Sequence, residues 1–363
     1  MKTLLERFRE LPDYRKCKQL KFNVGEVMYM SLLAILAGAN GYADMELWIK
    51  SKKDELRRLL GHSFIAPADN TIRNVYLNID LEALNKMFED WSHEIARREG
   101  LSSLNIISSD GKTMRGSKNK IRNEKARHIV SLFLSQEKIT LAQTQVDDKS
   151  NEIPALLELL DSLKLENCVI TVDAMHTQKK TLKKIRAKGH SFVAQVKDNQ
   201  KALANWIKFN ITISQSIDNY STYDTNDHGR YEERTIEVFN DLHMIAKEWT
   251  MVKRLIKVTA KVVQYGNVSY ETRYYISNLT VNAKEFLHII RSHWTIENSL
   301  HYVKDVAFQE DFNRMRTKQI PVVTSLLRSL AINLLNINKI SNKTQARKLF
   351  AWGVIDLFSL KGI

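Results

Sequence analysis

The chain reads as a mixed α/β protein, a sheet of parallel and antiparallel strands covered by helices and preceded by a helical segment. Three observations predict this. Residues 1 to about 98 keep helical spacing of apolar residues, three strand-like runs follow from residue 104, and helices and short apolar strands then alternate. The division expected is a helical domain at 1–98 and an α/β domain at 99–363. Within the second, a strand-rich stretch lies at about 211–280 and a basic helical part at about 313–363.

The helical segment contains an apolar stretch at 23–38, then "DMELWIKSKKDELRRLL" at 44–60, then a third element from 69 to 98 that Asp69 or Asn70 would cap. Gly61 and Pro67 mark the break before that third element. The strands expected next are "LNIISSD", "ARHIVSLFLSQ" and "ITLAQTQVD", and the helix "EIPALLELLDSL" follows them. The buried strand "NCVITVDA", the basic helix "TQKKTLKKIRAKG", the strand "SFVAQVK" and a helix around "NQKALANWIKFN" come next. Strands return as "KRLIKVTAKVVQY" and "ETRYYISNL", divided by a turn at Gly266 and Asn267. A long helix from about 283 to 308, capped by Asn282 in "NAKE", closes the module, and another helical stretch covers 320–337.

Composition narrows the function. A chain of 363 residues with 44% hydrophobic content, four prolines and twelve glycines is globular, with no low-complexity tail. Its net charge of +14 favours a polyanion, with nucleic acid the first candidate. Only Cys17 and Cys168 are present, which excludes a disulfide framework and suits a reducing cytoplasm. "MKTLLERFRE" is too charged for a secretory signal, and the apolar run at 27–39 is too short to span a membrane, so no membrane partner is expected. The basic residues are clustered. Residues 313–350 hold eight Lys or Arg and no acid, residues 112–127 hold seven against Glu124, and residues 179–188 hold six against none. Such blocks suggest phosphate contacts, although solvated faces also carry charge runs.

Three carboxylates stand out. Glu297 sits in "HWTIENSLHYVKDVAF", where, at about 100° per residue, Phe286, Ile290, Trp294 and Leu300 project within about 60° of it. Lys304, His293 and His301 fall within about 40° of the same direction. A carboxylate aimed into an apolar stripe needs a partner. An ion pair with Lys304 or Arg291 would supply one, and so would a metal. Asp110 ends "NIISSD", where the alternative is an Asp-Gly hairpin turn, and Asp173 ends "CVITVD", where the alternative is a helix cap that Thr177 is better placed to provide. If those two strands are neighbours, two carboxylates meet at one sheet edge and a third from a helix completes an oxygen-rich site suited to Mg²⁺. A zinc site of His293, Glu297 and His301 lacks the H-E-x-x-H spacing.

The segments "SSDGKTMRGS", "RHIVSLFLS", "DDKSNEIPALLELLDSL", "VITVDAMHTQKK", "VKDNQKAL", "HGRYEER", "YYISNL" and "RSHWTIENSLHYVKDVAFQEDFNRMR" together resemble the DDE transposases of the ISAs insertion-sequence type, the H-repeat-associated proteins, over nearly the whole chain. The resemblance implies a ribonuclease-H-like catalytic domain, a β-rich insertion before the third acidic residue, and a helical N-terminal module serving DNA-end binding or dimerisation. It makes Asp110, Asp173 and Glu297 the catalytic and metal-holding triad, with Mg²⁺ as cofactor and Mn²⁺ as a substitute. Glu297 and Lys304 keep the last spacing of the Tyr, Arg, Glu, Lys signature seen in the wider group. Ile290 and His293 stand where its Tyr and Arg belong, with Arg291 nearby. The DNA contacts expected are Lys304, Arg291, His293, Lys112, Arg115, Arg314 and Arg316. The partners expected are double-stranded DNA with terminal inverted repeats, target DNA and a second copy of the chain. Alternative readings are an inactive or domesticated DNA-binding protein and a metal-dependent nuclease without strand transfer.

Overall fold

In the computed structural model the described residues are 2–15, 22–102, 104–118, 123–146, 152–226, 230–243 and 249–363. Cys17, Lys120, Arg122 and the segment 147–151 lie outside them. The N-terminal part forms α1 (Leu4–Arg9), α2 (Val24–Leu36), α3 (Tyr42–Ser51), α4 (Lys53–Leu60), α5 (Asp69–Asn78) and α6 (Leu81–Gly100). Two helices expected to be continuous are divided. The stretch 44–60 breaks at Lys52, and the stretch from 69 breaks at Ile79, after which Asp80 accepts the Ala83 N–H and caps α6. Neither Asp69 nor Asn70 caps α5; its cap position is Ala68, which offers no side-chain acceptor.

The strands are β1 (Asn105–Met114), β2 (Arg127–Leu134), β3 (Ile139–Val146), β4 (Cys168–Val172), β5 (Ser191–Val196), β6 (Asp218–Asn226), β7 (Arg230–Phe239), β8 (Arg254–Gln264) and β9 (Asn267–Ser277). With them come α7 (Glu152–Ser162), α8 (Lys179–Ala187), α9 (Lys201–Ile213), α10 (Ala283–His293), α11 (Tyr302–Val306), α12 (Ile320–Ile337) and α13 (Lys343–Ala351). The chain divides into two units. One comprises Met1–Leu101, Gly111–Asn151 and Ile296–Ile363, the other Ser102–Asp110 and Glu152–Thr295, so the chain crosses between them four times, after Leu101, inside β1 after Asp110, after Asn151 and after Thr295.

In the second unit the strand order is β1-β4-β5-β9-β8-β7-β6. The pairs β1–β4 and β4–β5 are parallel and the rest antiparallel. The strand-rich stretch is therefore a continuation of the sheet through β9. Its β8–β9 hairpin pairs Gln264 with Asn267, so the turn residues are Tyr265 and Gly266, at φ 49° and 79°. That is one residue earlier than the sequence reading, because two consecutive positive φ values give the turn whose twist matches the strands. Phe286, Leu287, Ile289 and Ile290 of α10 pack on Ile106, Val169, Val193 and Ile256, which buries one face of this sheet. Asn282 caps α10 as expected, accepting the Glu285 N–H at 2.9 Å.

In the first unit the order is β3-β2-β1, with β2 and β3 antiparallel. The nine strands thus make one mixed sheet flanked by helices, the ribonuclease-H-like α/β class that the sequence predicts. Helix α12 is long and apolar enough to cross a membrane by length and composition, yet 94% of it is buried inside the fold. From it, Asn333 Oδ1 accepts the Thr140 N–H at 2.8 Å and Nδ2 donates to Thr140 O at 2.9 Å. One amide thereby satisfies the outward backbone groups of a residue on the edge strand β3.

A charge cluster is buried in the same unit. Glu310 lies 3.6 Å from Arg328 and 3.8 Å from Lys112. Burial alone would raise its carboxyl, but Lys304, Arg328 and Lys112 hold it below the usual range. Lys304 is 2% exposed and donates to Ser325 Oγ at 2.9 Å, and its burial pushes the ammonium down to about 8 against the pull of Glu310. Glu310→Gln would leave buried cations without their carboxylate and should cost about 3–5 kcal/mol, read from the urea midpoint; a variant within about 0.5 kcal/mol of wild type would show the cluster to be dispensable. Lys304 also gives a pH signature. Between about pH 8 and the ordinary lysine value of 10.5 the unfolded chain binds the extra proton, so this residue's contribution to stability rises with pH across that window. The thermal midpoint of wild type should gain on that of Lys304→Met from pH 8 to pH 10, and parallel curves would contradict the assignment.

Candidate active site

The site begins with a register. Strands β1 and β4 run parallel with Ser108 opposite Thr171, and Thr171 Oγ1 donates to Ser108 Oγ at 3.2 Å, so both side chains share a face. Asp110 and Asp173 each lie two residues further along. Two carboxylates therefore stand at the same level of neighbouring parallel strands. The sequence had Asp110 at the end of its strand, but β1 continues to Met114, and this also removes the Asp-Gly hairpin. What ends near Asp110 is the pairing with β4, whose last residue is Val172.

Asp173 is held by the turn that follows it. Its Oδ1 accepts the His176 N–H at 3.0 Å and lies 2.9 Å from His176 Nδ1, which leaves Oδ2 outside these bonds. Burial would raise this carboxyl, but the hydrogen bonds and charge of His176, with a smaller contribution from His293, bring it below the usual value, and its side chain stays 37% exposed. Asp173 is thus ionised and reachable. His176 is fully buried, with Nε2 at 3.7 Å from Glu152. Burial opposes its positive charge, yet Asp173, then Glu152 and Asp110, raise it overall. Three carboxylates act on one imidazole. Neither His176 nor Glu152 was found in the sequence reading; the available signal was a histidine three residues after Asp173. Thr177, expected as the helix cap, instead donates to Asp173 O and Gln195 O, and Gln178 precedes α8 without a side-chain cap.

His293 and Arg291 occupy the end of α10. His293 Nδ1 lies 2.9 Å from Thr171 Oγ1, and Ser108 Oγ donates to Ser292 O at 3.4 Å, so this helix end sits over the Ser108 and Thr171 face. Arg291 pairs with Asp224 at 2.9 Å, an acid that Arg234 also engages.

In the other unit, Glu297 opens a π-helical turn, Glu297–His301, in which the Tyr302 N–H donates to Glu297 O. The single α-helix expected over 283–308 is therefore interrupted. One extra residue in the turn rotates everything after it by about 100° relative to a regular helix. Two expectations fail here, the second through this rotation. Glu297 is not buried in an apolar stripe but 50% exposed, and its carboxylate lies 3.3 Å from His301 Nδ1, not against Lys304 or Arg291. Lys304, expected to contact a phosphate, is turned into the Glu310 cluster and enclosed. Asp110, Glu297 and His301 supply the ligand types, two carboxylates and an imidazole, that a divalent metal accepts.

The remaining expected DNA contacts divide by exposure. Lys112 is corrected: its ammonium lies 2.8 Å from Asp305 and 3.6 Å from Asp311, and its side chain is nearly enclosed. Arg115 is 85% exposed, Arg314 is exposed, and Arg316 is half-buried with Nε donating to Gly116 O at 2.7 Å. The block 313–350 is not a uniform basic surface, because α12 and α13 are packed helices. Arg328 belongs to the Glu310 cluster, and Arg347 donates to Ile35 O at 3.0 Å and stacks 4.4 Å from the centre of Phe308. On α8, Lys188 pairs with Asp161 at 3.1 Å while Lys179, Lys180 and Lys183 remain exposed.

Comparison with known proteins identifies the family. The family described as Transposase DDE domain matches residues 102–334, and the DDE_Tnp_1-associated family matches residues 5–92. The chain is 34% identical to YncI of Escherichia coli O157:H7, named as a transposase, over 92% of this chain and 87% of that protein. It is 29% identical to YhhI of Escherichia coli K12, an H repeat-associated protein also named as a transposase, over 96% of this chain and 94% of that one. A piggyBac transposase in a synaptic complex with hairpin DNA is a distant structural likeness, with TM-score 0.42 and 9% identity over 97% of this chain and 76% of that chain. The chain belongs to the DDE transposase family of the H-repeat-associated type.

Proposed function

We propose that the protein cuts DNA at the ends of an insertion sequence and joins the freed ends to target DNA, with Asp110, Asp173 and Glu297 holding divalent metal. The observation that carries the reading is the Ser108–Thr171 register, which sets Asp110 and Asp173 level on adjacent parallel strands in a chain of this family. The donor set fits a hard cation. Asp173 is ionised with one oxygen outside its bonds to His176, and Glu297 is half exposed, so both carboxylates can be reached from solvent. Mg²⁺, with Mn²⁺ as a substitute, would supply the positive charge that activates the attacking oxygen and stabilises the leaving one.

The chemistry is two displacements at phosphorus. In the first, a water oxygen bonds to phosphorus at the element end, the P–O3′ bond breaks, water loses a proton to solvent and the departing 3′ oxygen gains one. In the second, that 3′-hydroxyl bonds to a target phosphorus and displaces the target's own 3′ oxygen, which takes up the proton released. The number of phosphodiester bonds is unchanged in the second step, so no energy source is needed. His176 fixes the rotamer of Asp173 through two hydrogen bonds to one oxygen and presents the other outward. Arg115, Arg314, Arg316, Arg291 and His293 are the proposed DNA contacts. Joining two ends calls for two copies of the chain, terminal inverted repeats supply the ends, and the cytoplasm supplies the DNA.

DNA carrying the repeats that flank the protein's own gene, incubated with Mg²⁺ or Mn²⁺, should be cut at the repeat boundary and joined to target. Asp110→Asn, Asp173→Asn and Glu297→Gln should each abolish both products while DNA is still bound; cutting that persists in all three would overturn the site, and cutting without joining would make the protein a nuclease. Salt dependence tests the exposed cations separately. Replacing Arg115 and Lys180 together by Gln should lower the slope of log affinity against log salt by about 2 if each meets a phosphate, and an unchanged slope would remove them from the interface.

A further inference from the structure

A cleft of about 480 Å³ in the first unit lies apart from the carboxylates. It is lined by Asn40, Gly41, Tyr42 and Arg73 on the helical side and by Gln309 and the run from Phe312 to Thr317 on the other. That volume falls in the range of small-ligand sites. No acidic residue lines it, while Arg73, Arg314 and Arg316 all do, and none of the three makes an ion pair among the described residues. Three guanidinium groups in one cleft without a carboxylate form an anion site.

A further observation specifies the anion. Phe312, at the rim, is 78% exposed, an aromatic ring that the fold leaves in water beside the cations. Cations beside a free aromatic face match a phosphate joined to a base, the combination by which proteins hold unpaired strands.

The loop bearing these groups is fixed before any ligand arrives. The Arg115 N–H donates to Asp311 Oδ1 at 2.9 Å, Asn313 Nδ2 donates to Asn40 O at 2.8 Å, and Arg316 Nε donates to Gly116 O at 2.7 Å. Gly116 lies so close beneath the loop that a Cβ there would come within 2.6 Å of Asp311 O and 2.7 Å of Asn313 O. A preorganised cleft loses less ordering entropy when it is filled.

We propose that this cleft takes one unpaired nucleotide of a DNA strand, its phosphate on Arg73, Arg314 and Arg316 and its base on the Phe312 ring. The inference rests on the DNA-processing reading of the chain and adds a place where DNA is held open. None of the named residues belongs to the proposed metal site.

The test is fluorescence anisotropy of the full-length protein with a labelled 20-nucleotide oligothymidine, a labelled 20-base-pair duplex and, as competitor, free thymidine monophosphate. Phe312→Ala should weaken oligothymidine binding by about 5- to 100-fold and change duplex binding less than about twofold. Phe312→Trp should keep wild-type affinity, and Arg73→Gln should lower the single-strand salt slope by about 0.7. Equal oligothymidine binding by wild type and Phe312→Ala, or equal weakening on both DNAs, would overturn the proposal while leaving the transposase reading in place. Competition by the free nucleotide at the concentration of oligothymidine nucleotides would also overturn it, since the cleft would then serve a free nucleotide. Wild-type protein that binds neither DNA would overturn the underlying reading as well.

Discussion

The parallel pairing of β1 with β4 is the constraint on which the rest depends. Parallel neighbours keep residues of equal offset level with one another, so one register decides which side chains meet. With Ser108 opposite Thr171, the two aspartates that follow at the same interval are level, and of the hydroxyls below them, which bond to each other, Thr171 meets His293 and Ser108 meets Ser292 O. A slip of one residue would turn every side chain of a strand to the opposite face. The apolar face packed against Phe286 and Ile290 prevents that slip. Burial of the apolar part of that face thus fixes which side chains are presented at its end.

Charge is sorted by the same packing. A basic chain could be expected to place its cations on the outside, yet Lys112, Lys304, Arg328 and Arg347 are enclosed. The first three surround Glu310, and Arg347 satisfies backbone carbonyls of the helical segment. These residues hold the C-terminal helices in place and leave a smaller set of exposed cations for phosphate. The carboxylates follow the reverse arrangement: Glu310 and Glu152 are buried beside positive or protonatable groups, whereas Asp173 and Glu297 stay partly exposed. Exposure, more than residue type, separates the groups that can meet a metal from those that support the fold.

Much of this was legible in the residues themselves. Strand runs rich in β-branched residues located β1 and β4, and therefore Asp110 and Asp173, while the "NAKE" cap located α10. What could not be read depended on partners distant in sequence or on departures from regular geometry. The π turn at Glu297 has no periodic signature, and it redirected Lys304. The Glu310 cluster joins residues about two hundred positions apart, so Lys112 and Lys304 looked like surface cations. The break at Lys52 has no side-chain cap to mark it, whereas the one at Ile79 carries a local sign in the Asp80 cap of α6. His176 was visible as a letter, but its place between Asp173 and Glu152 was not.

The central claim is that Asp110, Asp173 and Glu297 hold a divalent metal. The most direct measurement is a titration of the wild-type protein with Mn²⁺, following the electron paramagnetic resonance signal of the free ion, in parallel with Asp110→Asn, Asp173→Asn and Glu297→Gln. The account predicts that wild type removes Mn²⁺ from solution saturably, that Mg²⁺ displaces it, and that each variant binds markedly more weakly. Identical binding curves for wild type and all three variants would contradict it.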